Sequence, residues 1–332
     1  MVKQLINIST HGRDLDIAGP DWEGARSAVG EAKVQGLELY PVGSRHPAKV
    51  PADLVSGIHL SFFVIIAQIW ESDRKRLLEI FGDEETVKHF YGGLGKEAII
   101  GHYRNQLRLA HDKGAAYCVF HASHCELEYI FDWSFPWDWE RIVDLSAQIV
   151  NEVTADTPYR GWILFENLWW PGGLRLDSRS EIDRLLSQVN YSKAGLCLDT
   201  GHILNKNWEL NTESEAVAYL LQQVENLGDV KDLVKTVHMS KSLSAKYALS
   251  MRDTKDPYAG CESFWDRLDV ARHHVRQIDR HDPFTDPQIA KLFELIEPDY
   301  LVHEFSYRDR EQWLSKVFVQ QKALAEGKAF TA

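Results

Sequence analysis

Short apolar runs alternate with longer amphipathic segments from one end of the chain to the other. Eight of these runs are predicted to be strands, because they are short, rich in β-branched and aromatic residues, and bounded by turn residues. The predicted strands are 4–9, 36–40, 57–63, 117–121, 161–167, 194–200, 236–240 and 300–305. The spacing between them predicts helices, among them 97–114, 139–155, 180–190, 213–228, 286–297 and 310–325. This alternation predicts the α/β class and a closed (β/α)8 TIM barrel.

The connections between these elements differ in length, which matters because the loops after barrel strands carry the chemistry. Three loops are predicted to be enlarged: 64–96, 122–138 and 241–278. The connection 41–56 is too short for a full helix. No linker rich in Ser, Gly or Pro divides the sequence, so a single domain over 1–332 is expected.

Polar residues stand at the ends of six predicted strands, where a barrel places its active site. They are His59, His121, Glu166, Asp199, His238 and Glu304. Any one of them, taken alone, fits a hydrogen-bonded core residue. Six together favour a site for divalent cations, because buried carboxylates without partners are strongly penalised and both ligand types suit zinc or manganese.

Two local motifs add candidate ligands to this set. In LCLDTGHI, Asp199 and His202 are three residues apart where a strand turns into a loop, so the two side chains can serve adjacent metals. In QIDRHDPF, Asp279 and His281 are two apart in a predicted extended segment and face the same way. The second motif alone also fits a solvated turn.

Composition and charge narrow the classes of function. The chain of 332 residues is 44% hydrophobic and 26% charged, as in an ordinary globular enzyme. A net charge of −12 argues against a general polyanion-binding surface, but not against a local metal-rich patch that meets phosphate. The sequence has no apolar run of about 18 residues, no signal-peptide pattern and no CxxC pair among its four cysteines. We expect a cytoplasmic protein with free thiols and no membrane partner; the oligomeric state is open.

The motifs that contain these residues occur in a familiar order. They are GIHLSFF, CVFHASH, ILFENL, GLCLDTGHI, TVHMSK, IDRHDPF and YLVHEF. On them the chain resembles the xylose isomerase-like TIM barrel superfamily, also called AP endonuclease family 2, over nearly its whole length. Sugar isomerases and epimerases of this superfamily hold one metal with a quartet of ligands. The resemblance places that quartet on Glu166, Asp199, His238 and Glu304.

The ligand pattern is most similar to that of endonuclease IV-like proteins, which hold further metals. By this resemblance a second metal takes His59, His121 and the bridging Glu166, and a third takes His202, Asp279 and His281. Two departures concern the substrate. Lys241 stands where the endonuclease pattern has Asp, and PFTDP at 283–287 replaces a Gly-Glu-Gly-like segment. These departures, with no Arg-rich docking loop in the sequence, disfavour DNA.

Several divalent ions, with zinc the first choice and Mn, Fe or Mg as alternatives, favour cleavage of a phosphoester. Glu166 would bridge metals, and Glu304 would hold or deprotonate the attacking water. We expect a small phosphorylated or sugar-like substrate, and the candidates for binding it are Lys241, Arg280, Arg308, Trp169 and Phe62. The basic residues also fit solvated surface charges, and the aromatic ones also fit a lid or a subunit contact.

The quartet alone also supports a different chemistry. With one metal, Glu166 and Glu304 would move a proton between adjacent carbons of a sugar or sugar phosphate, giving isomerisation or epimerisation. A barrel kept as a non-catalytic binding protein is a third possibility, which the full set of candidate ligands disfavours.

Overall fold

Eight parallel strands form a closed barrel in which each strand pairs with its neighbours in chain order. A computed structural model describes residues 2–42 and 49–330 of the chain. The strands are β1 Lys3–Ser9, β2 Leu37–Tyr40, β3 Val55–His59, β4 Tyr117–His121, β5 Trp162–Glu166, β6 Ala194–Asp199, β7 Val234–Met239 and β8 Tyr300–His303. All eight predicted strands are present, and the predicted (β/α)8 TIM barrel is confirmed.

The strand register brings candidate ligands to one level of the barrel. His121 of β4 lies opposite Glu166 of β5, and Asp199 of β6 lies opposite His238 of β7. The barrel interior holds a small cluster of buried side chains, formed by Leu5, Tyr117, Val119, Leu164, Cys197 and Val302. Because side chains alternate along a strand, these interior residues and the polar strand ends share one face.

Helices follow the strands, and those within the long loops 64–96 and 241–278 lie outside the regular repeat. The longer ones are α1 Gly12–Ala18, α2 Glu23–Ala32, α4 Arg74–Phe81, α5 Glu84–Tyr91, α6 Lys96–Lys113, α7 Trp139–Thr154, α8 Arg179–Gln188, α10 Glu213–Asn226, α11 Ala245–Met251, α12 Phe264–Ile278 and α14 Arg310–Glu326. The shorter ones are α3 Ala67–Trp70, α9 Thr200–Asn205 and α13 Leu292–Leu295. No helix within residues 2–42 and 49–330 is long and apolar enough to cross a membrane.

Two connections differ from a regular repeat. The predicted helix 286–297 is wrong as a continuous α-helix: it is a 3-10 turn, Pro287–Lys291, followed by the short α13. Ile296 has an extended backbone, and Pro298 two residues later disfavours helical continuation. Between β2 and β3 the described part contains one 3-10 turn, Ala52–Leu54. The prediction for 41–56 covers residues 43–48, which lie outside the described residues.

The three long loops pack against one another, and we call residues 64–96, 122–138 and 241–278 the cap. Helix α12 begins with a capping box at Ser263, and the Phe264 ring lies 4.3 Å from that of Phe81. The Tyr258 hydroxyl donates to the Leu127 carbonyl at 2.6 Å. Loop lengths predicted the three segments, and the structure shows that they form one layer after the carboxyl ends of β3, β4 and β7.

His274 of α12 joins two parts of the cap. Its ring stacks on Phe131 with centroids 4.0 Å apart. Nε2 lies 3.2 Å from the Ile130 carbonyl, and Nδ1 lies 3.1 Å from the Tyr247 hydroxyl. A neutral imidazole satisfies both contacts, with Nε2–H donating to the carbonyl and Nδ1 accepting from the hydroxyl.

Acid is expected to weaken the cap through His274. Burial lowers the pKa of this imidazole to about 4, while in the unfolded chain it is near its ordinary value of about 6.5. As the pH falls below 6.5, the unfolded state binds the proton before the folded state does. The stability that neutral His274 gives the folded protein is therefore present above pH 6.5 and is lost as the pH falls toward 4. The wild type should have a higher free energy of unfolding than His274→Gln at pH 7, and this difference should be about 2 kcal/mol smaller at pH 4. Urea unfolding of both proteins measures this difference, and a constant difference would contradict the prediction.

Candidate metal centre

Glu166, the last residue of β5, lies at the centre of the site. Its Oε2 atom is 3.2 Å from Nε2 of His59 and 3.1 Å from Nε2 of His121. These two imidazole nitrogens are themselves 3.1 Å apart. The ligand atoms of the three residues all lie within 4.8 Å of one another. Two imidazoles that direct the same ring atom at one carboxylate oxygen form a group suited to a divalent cation.

The other carboxylate oxygen of Glu166 belongs to a second group. Oε1 lies 3.5 Å from Nδ1 of His238, and that nitrogen lies 3.0 Å from Oε2 of Glu304. Three atoms here are buried and make no well-aligned hydrogen bond among the described residues: Oδ2 of Asp199, and the Nδ1 of His238 and Oε2 of Glu304 that form this 3.0 Å contact. Buried polar atoms in this state are rare and costly. All three belong to the quartet and also to groups of possible metal ligands, His238 and Glu304 with His59 and Asp199 with Glu166 and His202. Cations bound at these groups would satisfy them, so the residues present fit a metal.

A third group stands beside the quartet. Asp279 follows α12, and its Oδ2 atom lies 3.4 Å from Nε2 of His202 and 2.6 Å from Nε2 of His281. His202 in turn connects to the centre, because its Nδ1 lies 3.3 Å from Oε1 of Glu166. The backbone of His281 is left-handed, with φ of 50°, which is unfavourable for a non-glycine residue. The nine predicted ligands therefore lie in one connected cluster.

The fold orients the second nitrogen of several imidazoles. Nδ1 of His202 lies 2.7 Å from the Asn167 carbonyl, and Nδ1 of His281 lies 3.3 Å from the Glu304 carbonyl. Nδ1–H donating to a carbonyl leaves a lone pair on Nε2, which is the atom that faces Asp279 in both residues. Such contacts fix the tautomer and the ring direction of metal-binding histidines.

Glu38 of β2 contacts the cluster from inside the barrel, and the sequence analysis did not identify it. Its carboxylate is buried; Oε1 lies 3.0 Å from Nε2 of His238, and Oε2 accepts from the Tyr117 hydroxyl at 2.7 Å. Gly57 leaves room for that tyrosine, since a Cβ there would be 2.2 Å from its ring. A charged residue inside the predicted strand 36–40 was the available signal.

Burial and the mixture of acidic and basic groups shift the pKa values of the cluster in both directions. Burial raises the pKa of Asp199 to about 7, although His202 partly offsets it. Burial acts in the same sense on Glu166, but the imidazoles of His121 and His238 outweigh it and hold the pKa of that carboxyl well below its usual range. Burial lowers the pKa of His121, so this imidazole is neutral at pH 7 and can donate a lone pair.

A cavity of about 820 Å³ opens onto the cluster, with His121, His202 and Asp279 in its wall. Both aromatic candidates for substrate binding line it. The ring of Phe62 stacks on that of His121 with centroids 4.0 Å apart, and the ring of Trp169 lies 4.7 Å from that of His202.

The three basic candidates lie elsewhere, which does not support their expected role in binding substrate. Lys241 pairs with Glu213, Arg280 pairs with Asp282 at 3.1 Å, and Arg308 is exposed beside Gln312. Among the described residues, the cavity wall instead contains two arginines of α12, namely Arg272 and Arg276. No motif in the sequence distinguished these two from surface arginines.

Known structures share the fold at low sequence identity. Endonuclease IV from Thermus thermophilus has a TM-score of 0.52 and 15% identity, with 98% of this chain and 99% of that chain covered. A 3-keto-D-glucoside 4-epimerase from E. coli has a TM-score of 0.49 and 12% identity, with 99% of each chain covered. At 15% identity the likeness to endonuclease IV concerns the fold alone. No curated protein sequence matches the chain.

The family assignment comes from the sequence itself. A family model described as xylose isomerase-like TIM barrel matches residues 93–303, which is more than half of the chain. The match includes β4 to β8 and most of the polar strand ends that form the cluster. The chain therefore belongs to the xylose isomerase-like TIM barrel family.

Proposed function

We propose that the chain is a divalent-metal-dependent enzyme that holds up to three ions, with zinc the best suited, and cleaves a phosphoester. The observation that carries this proposal is the third group, in which Nε2 of His202 and Nε2 of His281 both face Oδ2 of Asp279. A single-metal isomerase needs only the quartet. Two further imidazole–carboxylate groups adjoin the quartet, and they favour chemistry that uses several metal ions.

Bound ions would activate a water molecule and neutralise charge that develops on phosphoryl oxygens. The protein's own carboxylates divide the remaining work according to exposure. The side chain of Glu166 is 1% exposed and faces other candidate ligands through both oxygens, so it would bridge two ions. The side chain of Glu304 is 16% exposed. The more accessible Glu304 is placed to hold the attacking water and accept its proton.

A sugar or sugar-phosphate isomerase or epimerase is the second candidate. The three buried atoms without a well-aligned hydrogen bond, on Asp199, His238 and Glu304, all belong to the quartet. One metal would satisfy them. Glu166 and Glu304 would then transfer a proton between neighbouring carbons of the substrate.

The substrate we propose is a small phosphorylated molecule and not a DNA strand. Residues of all three cap segments, among them Phe90, Ile130 and Leu268, line the cavity together with the strand ends. A cavity of about 820 Å³ is within the usual range for small-molecule sites.

Metal content and turnover test the proposed function together. Protein purified without chelator is expected to contain about two or three equivalents of zinc, manganese or iron by elemental mass spectrometry. It should hydrolyse bis(4-nitrophenyl) phosphate, lose that activity after chelation and regain it when zinc is restored. A single equivalent of metal, together with turnover of a ketose and none of the phosphodiester, would instead establish the isomerase.

A further inference from the structure

The cavity beside the metal centre is lined by two kinds of residue. The candidate ligands His121, His202 and Asp279 form one kind, and aromatic and aliphatic side chains form the other. The aromatic members of the wall are Tyr40, Phe62, Phe63, Phe90, Trp169, Trp170 and Trp265. A substrate that fits both kinds carries an anionic group for the cations and a flat apolar group for the rings.

Ring geometry next to the ligands is suited to stacking. Phe62 is nearly parallel to His121, with centroids 4.0 Å apart and an interplanar angle of 24°. The ring of Tyr40 is nearly parallel to that of Phe62, with centroids 6.3 Å apart and an interplanar angle of 17°. Phe62 is nevertheless 36% exposed, so part of a large apolar ring remains accessible beside a ligand. An aromatic group of the substrate would cover it.

Several polar groups in the wall are already engaged with each other. The Ser61 hydroxyl lies 2.8 Å from Nε2 of His102. Oε1 of Gln106 accepts from the Ser61 backbone N–H at 3.0 Å, and its Nε2 donates to the Pro41 carbonyl at 3.3 Å. A polyol substrate requires free donors and acceptors for its hydroxyls, and the hydrogen bonds among these three side chains leave fewer of them in the wall.

Two arginines complete the wall on the side of the cap. Arg272 and Arg276 are one helical turn apart on α12 and both line the cavity. Within residues 2–42 and 49–330, the one ion pair of Arg272 is a 3.7 Å contact with the exposed Asp269. Arg276 makes no hydrogen bond or ion pair with a residue of these ranges. On a chain of net charge −12, two such guanidinium groups at the cavity attract an anionic substrate.

We propose that the cavity selects small phosphoesters of aromatic alcohols, an inference that rests on the proposed phosphoesterase function. The phosphate faces the metal centre and the aromatic group lies against Phe62. The oxygen of water forms a bond to phosphorus while the bond from phosphorus to the aryl oxygen breaks, and its electron pair goes to that oxygen. Glu304 accepts the proton that water releases, and the aryl oxide leaves and takes a proton from solvent water to become the free alcohol.

Phosphonates test this selectivity without turnover, because their carbon–phosphorus bond is not hydrolysed by this reaction. Phenylphosphonate and methylphosphonate present the same anion and differ in the ring. Isothermal titration of the zinc-loaded protein is expected to show at least about tenfold tighter binding of phenylphosphonate. Equal affinities would overturn the aromatic preference, whereas binding of neither phosphonate would count against the phosphoesterase function itself.

A matched pair of phenylalanine variants locates the ring site. Phe62→Ala should lower the ratio of the two affinities to about two or less. Phe318→Ala removes a ring that is also exposed, at 46%, from the outer helix α14 and should leave the ratio unchanged. Because methylphosphonate reports on the metal centre, the ratio separates loss of stacking from damage to His121. An unchanged ratio in Phe62→Ala would overturn the assignment.

Discussion

Glu166→Gln is expected to remove two metal ions at once and to lower turnover of a phosphodiester by at least about a thousandfold. Its two carboxylate oxygens face different groups, Oε2 toward His59 and His121 and Oε1 toward His238. A neutral amide presents one acceptor oxygen and an NH2 group, so it cannot bridge two cations. Elemental analysis and steady-state kinetics measure the two effects.

Glu181→Gln is the matched control for this substitution. Glu181 is also a buried carboxylate, but it accepts from the backbone N–H groups of Arg175 and Asp177 near the start of α8. We expect this variant to lose some stability and to keep its metal content. If Glu166→Gln kept the wild-type metal content and turnover, Glu166 would not be the bridging ligand.

The barrel was predictable because its signal is local and repeated. Each strand is a short apolar run with turn residues at its ends. Eight such runs that alternate with helical segments fit few folds other than a (β/α)8 barrel. The polar strand ends were visible for a related reason. A residue such as Glu166 interrupts an otherwise aliphatic strand, and burying it alone would be too costly.

Glu38 shows where this reasoning stopped. In a strand of four residues, the alternation does not reveal which face points into the barrel. Its role depends on Tyr117 and His238, which are 79 and 200 residues away in the sequence. Only the closed barrel brings these residues together.

The cap and the basic residues depended on tertiary contacts in the same way. Loop lengths predicted three enlarged segments, but not that Phe81 and Phe264 would meet. Lys241 follows a ligand-bearing strand and was expected to bind substrate, yet Glu213 at the start of α10 takes its charge. Because the side chain of a lysine is long and flexible, it can reach several acidic residues, and sequence spacing does not specify which of them it pairs with.

The orientation of the imidazoles bears on how many ions bind. His59, His202 and His281 each place Nδ1 near a backbone carbonyl and direct Nε2 at a carboxylate. His238 instead directs Nε2 at Glu38 and Nδ1 at the cluster. A contact between Nδ1–H and a carbonyl fixes the tautomer in which Nε2 carries the lone pair that a metal ion binds. The preset orientation in all three groups therefore favours three ions over one.

Asp279→Asn is expected to remove the third ion alone, leaving about two, and to lower turnover of a phosphodiester about a hundredfold. The amide loses the negative charge that His202 and His281 share through Oδ2, while Glu166 and the quartet remain intact. If the protein is a single-metal isomerase, the same substitution leaves the metal content unchanged. Elemental mass spectrometry of the variant therefore discriminates between the two proposed functions even before a natural substrate is known.

Asp282→Asn provides the matched control, three residues along the chain. The Asp282 carboxylate pairs with Arg280 at 3.1 Å and with Lys316 at 3.2 Å and faces none of the candidate ligands among the described residues. The Asp282→Asn variant should keep three ions, because the surface ion pairs that it loses contribute only about 0–1 kcal/mol to stability. Equal loss of metal in both variants would mean that the segment, and not the Asp279 carboxylate, holds the third ion in place. Loss confined to Asp279→Asn would assign that ion to this carboxylate and its two imidazoles.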